Sequence, residues 1–158
     1  MDPAFISPFI ESVQNVFSTM LQLPVVVGEP RLKTDPKASY DITGIIGLSG
    51  DVSGAVALSF PRTTAERIVA IFCGMEISAD HADFPDAVGE LVNMISGGAK
   101  ANFPNRNVSI SCPSVIIGEG HRVMNQSETP AAILPFETDC GVMAVEIAVR
   151  DNAKKVAA

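Results

Sequence analysis

The stretch Asp83-Phe-Pro-Asp-Ala-Val-Gly-Glu-Leu-Val-Asn-Met-Ile-Ser-Gly-Gly-Ala-Lys-Ala-Asn-Phe103 decides how the rest of the chain is read. Asp83 supplies a cap and Pro85 falls in the first turn, where a missing N–H costs little, so a helix begins here. At about 100° per residue, Val88, Leu91, Val92, Ile95 and Ala99 gather on one side and form the predicted buried face. Asp86, Glu90, Asn93 and Gly97 are spaced four, three and four apart and make a narrow stripe on the other side. A core helix thus displays a carboxylate and a carboxamide one turn apart, beside the small residues Ser96, Gly97 and Gly98. Serine and glycine are poor helix-interior residues, so a close approach is expected at that point.

Upstream, Ser7 reads as an N-cap with Pro8 at the first position of a helix over 7–22, whose apolar stripe includes Phe9, Val13, Val16 and Phe17. Pro24 ends it. Val25-Val26-Val27 reads as a strand closed by Gly28-Glu29-Pro30, and two longer strands, 40–48 and 54–60, join through Ser49-Gly50-Asp51. Thr63 and Glu66 stand at capping-box spacing ahead of a short helix that Gly74 stops. Downstream, strands are predicted near 108–118, 131–137 and 142–149, and the tail from Asp151 is expected to fray. Pro24-Val-Val-Val-Gly-Glu29 echoes Pro113-Ser-Val-Ile-Ile-Gly-Glu119, and Gly54-Ala-Val-Ala-Leu58 echoes Gly141-Val-Met-Ala-Val145. The expectation is a single α+β domain over 1–158. An antiparallel sheet packs with about three helices, in two pseudo-repeated halves of one helix plus three strands.

Of the 158 residues, 47% are hydrophobic and 18% charged, which excludes a disordered chain. A net charge of −7 without clustered Lys or Arg speaks against nucleic acid and against an anionic membrane surface. No apolar segment approaches the roughly 20 residues that span a bilayer, and the N-terminus lacks the basic region of a signal peptide. Cys73, Cys112 and Cys140 are isolated and read as structural thiols in a reducing compartment. A soluble, cytoplasmic protein is expected.

Conventional catalytic constellations are missing from the pattern. The two histidines, His81 and His121, fall in predicted loops without a nucleophile signature nearby, and read as solvated. Zinc-ligand spacing, a Walker loop and a GxGxxG helix opening are all absent. Asp86 with Glu90 could form an acid–base pair only inside a cleft that perturbs them. Rows of Asp, Glu and Asn are also the ordinary wet side of an amphipathic helix. Asn93 beside glycines on the same stripe is what favours a function.

The run Glu90-Leu-Val-Asn93-Met-Ile-Ser-Gly97-Gly98-Ala99-Lys100, with Asp86 before it, resembles the signature of the CheC/CheX chemotaxis phosphatases. The first-helix segment Pro8–Val13 and the hairpin Gly47–Pro61 extend the resemblance over most of the chain. The family's downstream proline has Pro113 as its candidate here, a few residues closer than usual. Ser7, Glu11 and Gln14 occupy the places of the second motif that CheC-like members carry, but Ser7 is explained by capping and Gln14 by exposure. One site, as in CheX-type members, is therefore expected.

The resemblance implies a phosphatase acting on the aspartyl phosphate of a CheY-like response regulator. Mg²⁺ would be held by the regulator, and this chain would bind no cofactor or metal of its own. It further implies that Asn93 holds the attacking water, that Glu90 pairs with a regulator lysine, and that Asp86, Gly97 and Gly98 contact the partner. A homodimer is implied as well. The alternatives are a non-catalytic regulator-binding module and a flagellar or chemotaxis assembly domain.

Overall fold

The structure, a computed structural model, describes residues 2–123 and 129–153. Among the described residues three helices cover one face of an eight-stranded antiparallel sheet. In chain order the elements are α1 (Pro3–Leu21), β1 (Val25–Val27), β2 (Arg31–Leu32), β3 (Ile42–Gly50), β4 (Val52–Phe60), α2 (Arg62–Cys73), α3 (Phe84–Ala101), β5 (Val108–Ile110), β6 (Ser114–Ile117), β7 (Ala132–Thr138) and β8 (Gly141–Asp151). The sheet runs β1-β7-β8-β4-β3-β5, with β2 also on β7 and β6 also on β3. Alternate residues of the strands, among them Ile46, Leu58 and Leu134, meet Phe9 and Phe17 of α1 and Val88, Leu91 and Ile95 of α3 in one continuous core.

The sheet order reads the same from either edge once the halves are matched, as the repeat requires. β4 and β8 pair at the centre, where Leu58 faces Val145, the residues that end the two matching segments. Gly54 and Gly141, which open those segments, both have positive φ, +143° and +132°. The second echo is out of register. Val25 faces Thr138 at the C-terminal end of β7 as Ile110 faces Leu48 at that of β3, so β1 corresponds to β5. Arg31 then faces Ile133 as Ile116 faces Thr43, so β2 corresponds to β6. The segments Pro24–Glu29 and Pro113–Glu119 share composition rather than position. Each half therefore ends in a broken edge strand, interrupted at Gly28-Glu29-Pro30 and at Ser111-Cys112-Pro113, where the single strand expected over 108–118 splits. A proline without an N–H cannot continue a ladder, and such breaks protect an edge from adventitious pairing.

Other boundaries moved for local reasons. α1 starts at Pro3 on an Asp2 cap, whose carboxylate accepts the Ala4 N–H at 2.9 Å. Asp2-Pro3 carries the same cap-and-proline signal as Ser7-Pro8, and the extra turn brings Phe5 edge-on to Phe103 at 5.2 Å. Pro8 is then inside the helix, and Ser7 is not a cap. α2 has no side-chain cap, because it starts at Arg62 on Pro61, which offers no side-chain acceptor; Thr63 lies inside the helix, and Glu66 accepts the Ala79 N–H at 3.0 Å and faces Arg62. Gly74 ends it in the left-handed conformation, φ +71°. At the C-terminus, Asp151–Ala153 are fixed rather than frayed. Arg106 grips the Asp151 carboxylate at 2.9 Å, and Asn152 donates through its main chain to the Asp51 carbonyl. The remainder of the tail, 154–158, lies outside the described residues.

Candidate functional site

Close contacts seat α3 from three directions. A β-carbon on Gly44 of β3 would lie 3.2 Å from Val88 and 3.3 Å from Val92, so the helix rests almost on the strand's backbone. On one flank Gly89 faces the Pro113 ring, 3.1 Å from where a β-carbon would stand. On the other, Gly98 faces Ser12 of α1, whose Oγ would be 2.5 Å from a β-carbon. Asp86, Glu90, Asn93 and Gly97 run along the crest between these flanks, on the side away from the sheet.

The predicted buried face is buried throughout, and Ser96 is buried with it. Asp83 occupies the cap position, yet its side chain makes no capping bond; its main-chain N–H donates to His81 Nδ1 at 3.0 Å. Asp86, Glu90 and Gly98 are exposed, and Asn93 and Gly97 half-buried. Among the described residues no hydrogen bond or ion pair engages the Glu90 or Asn93 side chains, so both are available to a partner. The close approach expected at the small residues is intramolecular at Gly98, where Ser12 needs the space, whereas a β-carbon on Gly97 would meet nothing within 4 Å. Pro113 borders the turn that carries Glu90. Ser7, Glu11 and Gln14 are all exposed on α1.

Sequence reasoning missed the inter-helix contact of Ser12, whose only signal was a serine on an otherwise apolar face. It also misjudged His121, which accepts or donates at Thr43 Oγ1 (2.8 Å) and meets the Gly118 carbonyl (2.9 Å) instead of standing in solvent. Lys33 and Glu146 form a buried ion pair at 2.6 Å on the sheet face remote from the helices, at the wall of a cleft of about 260 Å³. Among the described residues no three His, Cys, Asp or Glu side chains are grouped to hold a metal ion, and no helix is long and apolar enough to cross a membrane. Cys73 and Cys112 are exposed; Cys140 is buried, and burial pushes its thiol pKa up.

A convex helix crest carrying two unengaged polar side chains suits the surface of another macromolecule better than a small ligand, which is ordinarily enclosed by a concave pocket. The fold and this crest define an α+β domain whose central helix leaves a polar crest uncovered. The chain belongs to the CheX family: the model for the chemotaxis phosphatase CheX matches residues 42–137. It is 27% identical over 126 residues to the CheY-P phosphatase CheX of Thermotoga maritima, covering 78% of this chain and 81% of the relative. The chemotaxis protein CheX of Desulfovibrio desulfuricans has a similar structure, with 32% identity, a TM-score of 0.85, and coverage of 92% of this chain and 99% of that one. The Borrelia burgdorferi CheX–CheY–BeF3–Mg²⁺ complex shares the fold at 24% identity and a TM-score of 0.73, covering 92% and 97% of the two chains.

Proposed function

We propose that this protein hydrolyses the aspartyl phosphate of a CheY-like response regulator, and that α3 is the element presented to the regulator's active site. The observation that carries the reading is the unengaged Glu90–Asn93 pair on the crest of a helix held on both flanks. The Thermotoga relative, a CheY-P phosphatase, and the Borrelia complex, in which a CheX is joined to CheY with BeF3 and Mg²⁺, support the same partner.

In this reaction the oxygen of water attacks phosphorus in line. The bond from phosphorus to the regulator's aspartate oxygen breaks, the carboxylate leaves with that electron pair, and inorganic phosphate carries the water's protons. Phosphoryl transfer of this kind depends mainly on positioning and charge stabilisation. Mg²⁺ belongs to the regulator and supplies the charge stabilisation there. Asn93 orients the water through a carboxamide that both donates and accepts hydrogen bonds. Glu90 pairs with a regulator lysine and sets the docking register, while Asp86 and Gly97 complete the contact; the space at Gly98 is taken up by Ser12 of the same chain. The protein works in the cytoplasm as a homodimer, without nucleic acid or membrane.

The test is turnover. A few per cent of this protein, added to phosphorylated CheY-type regulator with Mg²⁺, should clear many equivalents of phosphate. Binding without acceleration would make the chain a regulator-sequestering module.

A further inference from the structure

Ser12 lies on the buried side of α1, 5% exposed, and its Oγ donates a 2.6 Å hydrogen bond to the Ile95 carbonyl of α3. A serine inside a helix commonly turns back on the carbonyl four residues earlier. This one reaches across to the neighbouring helix, into the turn that follows Asn93. Gly98 completes the contact, because a β-carbon there would stand 2.5 Å from the same hydroxyl. The ring contacts of α1 at this end, Phe5 and Phe9 on Phe103 just beyond α3 at 5.2 and 5.8 Å, are apolar and weakly directional. A short hydrogen bond to one particular carbonyl is directional, and it fixes how far α3 has slid along α1.

From this juxtaposition we propose that Ser12 is a positioning residue, which sets the axial register of α3 and thereby the place at which Asn93 meets the regulator. The inference rests on Asn93 as the water-orienting group. A slip by one residue moves a helix about 1.5 Å along its axis. Misplacement on the order of 1 Å at a reacting centre can cost about 10²-fold in rate. The hydroxyl is not needed to satisfy the Ile95 carbonyl, which has its own helical N–H partner four residues on. An alanine at position 12 therefore leaves no buried acceptor stranded, and the fold should survive it.

The experiment compares the full chain with Ser12→Ala and Ser12→Thr, using phosphorylated CheY-type regulator and Mg²⁺, with thermal unfolding of each protein alongside. Ser12→Ala should keep the wild-type melting temperature within a few degrees and an unchanged KM, while kcat falls about tenfold. Ser12→Thr, which keeps the hydroxyl, should recover most of kcat. Wild-type kcat in Ser12→Ala overturns the proposal. So does a rise in KM alone, a kcat loss that Ser12→Thr shares, or a Ser12→Ala protein that does not fold. Full activity in Asn93→Ala would instead overturn the site assignment beneath it, whatever Ser12→Ala shows.

Discussion

Consider Gly54→Ala in the central strand β4. Gly54 has φ +143°, and a β-carbon there would fall 1.9 Å from the Ala148 carbonyl oxygen of β8. Holding alanine in such a backbone conformation costs about 1–3 kcal/mol. Relieving the overlap means parting main chain from main chain at the middle of the sheet, with loss of ladder hydrogen bonds worth about 1 kcal/mol each. The reduced entropy of the unfolded chain offsets only about 0.4–1 kcal/mol. The net expectation is about 4 kcal/mol, at the severe end for a point substitution. Gly141, its counterpart in the other half, has φ +132°, but a β-carbon there meets the Thr64 side chain, with Oγ1 at 2.2 Å. Gly141→Ala should cost about 2 kcal/mol, mostly backbone strain, and Thr64→Ala should relieve part of it. No single side-chain change can relieve Gly54→Ala. Urea unfolding reads the difference: with a slope of about 2 kcal/mol per molar, the Gly54→Ala midpoint should fall by about 2 M. A midpoint within about 0.5 M of wild type, or a larger loss in Gly141→Ala, would refute the reasoning.

Lys33→Met should cost about 3 kcal/mol in the same assay, because Glu146 is left buried with Ser39 as its one remaining donor among the described residues; Lys33→Met with Glu146→Leu should recover most of it. Equal stability of both single and double variants would mean that the pair is solvated. Burial raises the Cys140 thiol pKa above its unfolded value, with Asp139 adding to the rise and Arg67 opposing it. The neutral thiol's contribution is therefore complete below the unfolded pKa and is lost as pH rises through the folded one. Cys140→Ala should accordingly flatten the decline of stability above about pH 8.5, and an unchanged alkaline profile would contradict this. Glu90→Ala should weaken binding to a BeF3- and Mg²⁺-loaded CheY-type regulator about tenfold, and lessen its salt dependence. Unchanged affinity would remove Glu90 from the interface.

The central helix was the most legible part of the sequence because three signals agree over it: cap position, first-turn proline and 3.6-residue periodicity. Its buried face follows from that periodicity alone. The crest follows too, but its meaning came from resemblance, since exposed Asp, Glu and Asn are equally the wet side of any helix. Where two signals of the same kind compete, the local reading failed. Asp2-Pro3 and Ser7-Pro8 both spell a helix start, and only the Phe5–Phe103 contact, distant in sequence, selects the first. The edge strands misled for a related reason. Both halves contain a β-branched run beside Pro and Gly, but register is set by pairing partners on β3 and β7, which composition does not encode. Gly98 was read as a place of close approach by the partner, and the group found beside it belongs to the same chain. That the approaching group is Ser12 of the same chain required the packing of α1 on α3.

The most direct test of the account is the decay of phosphorylated, Mg²⁺-loaded CheY-type regulator measured alone, with wild-type protein, and with Asn93→Ala. The account predicts acceleration by the wild type and none by the variant, with both proteins unfolding at the same urea midpoint, because the Asn93 side chain makes no hydrogen bond among the described residues. Wild-type acceleration by Asn93→Ala, or an Asn93→Ala protein that unfolds at much lower urea, would contradict it.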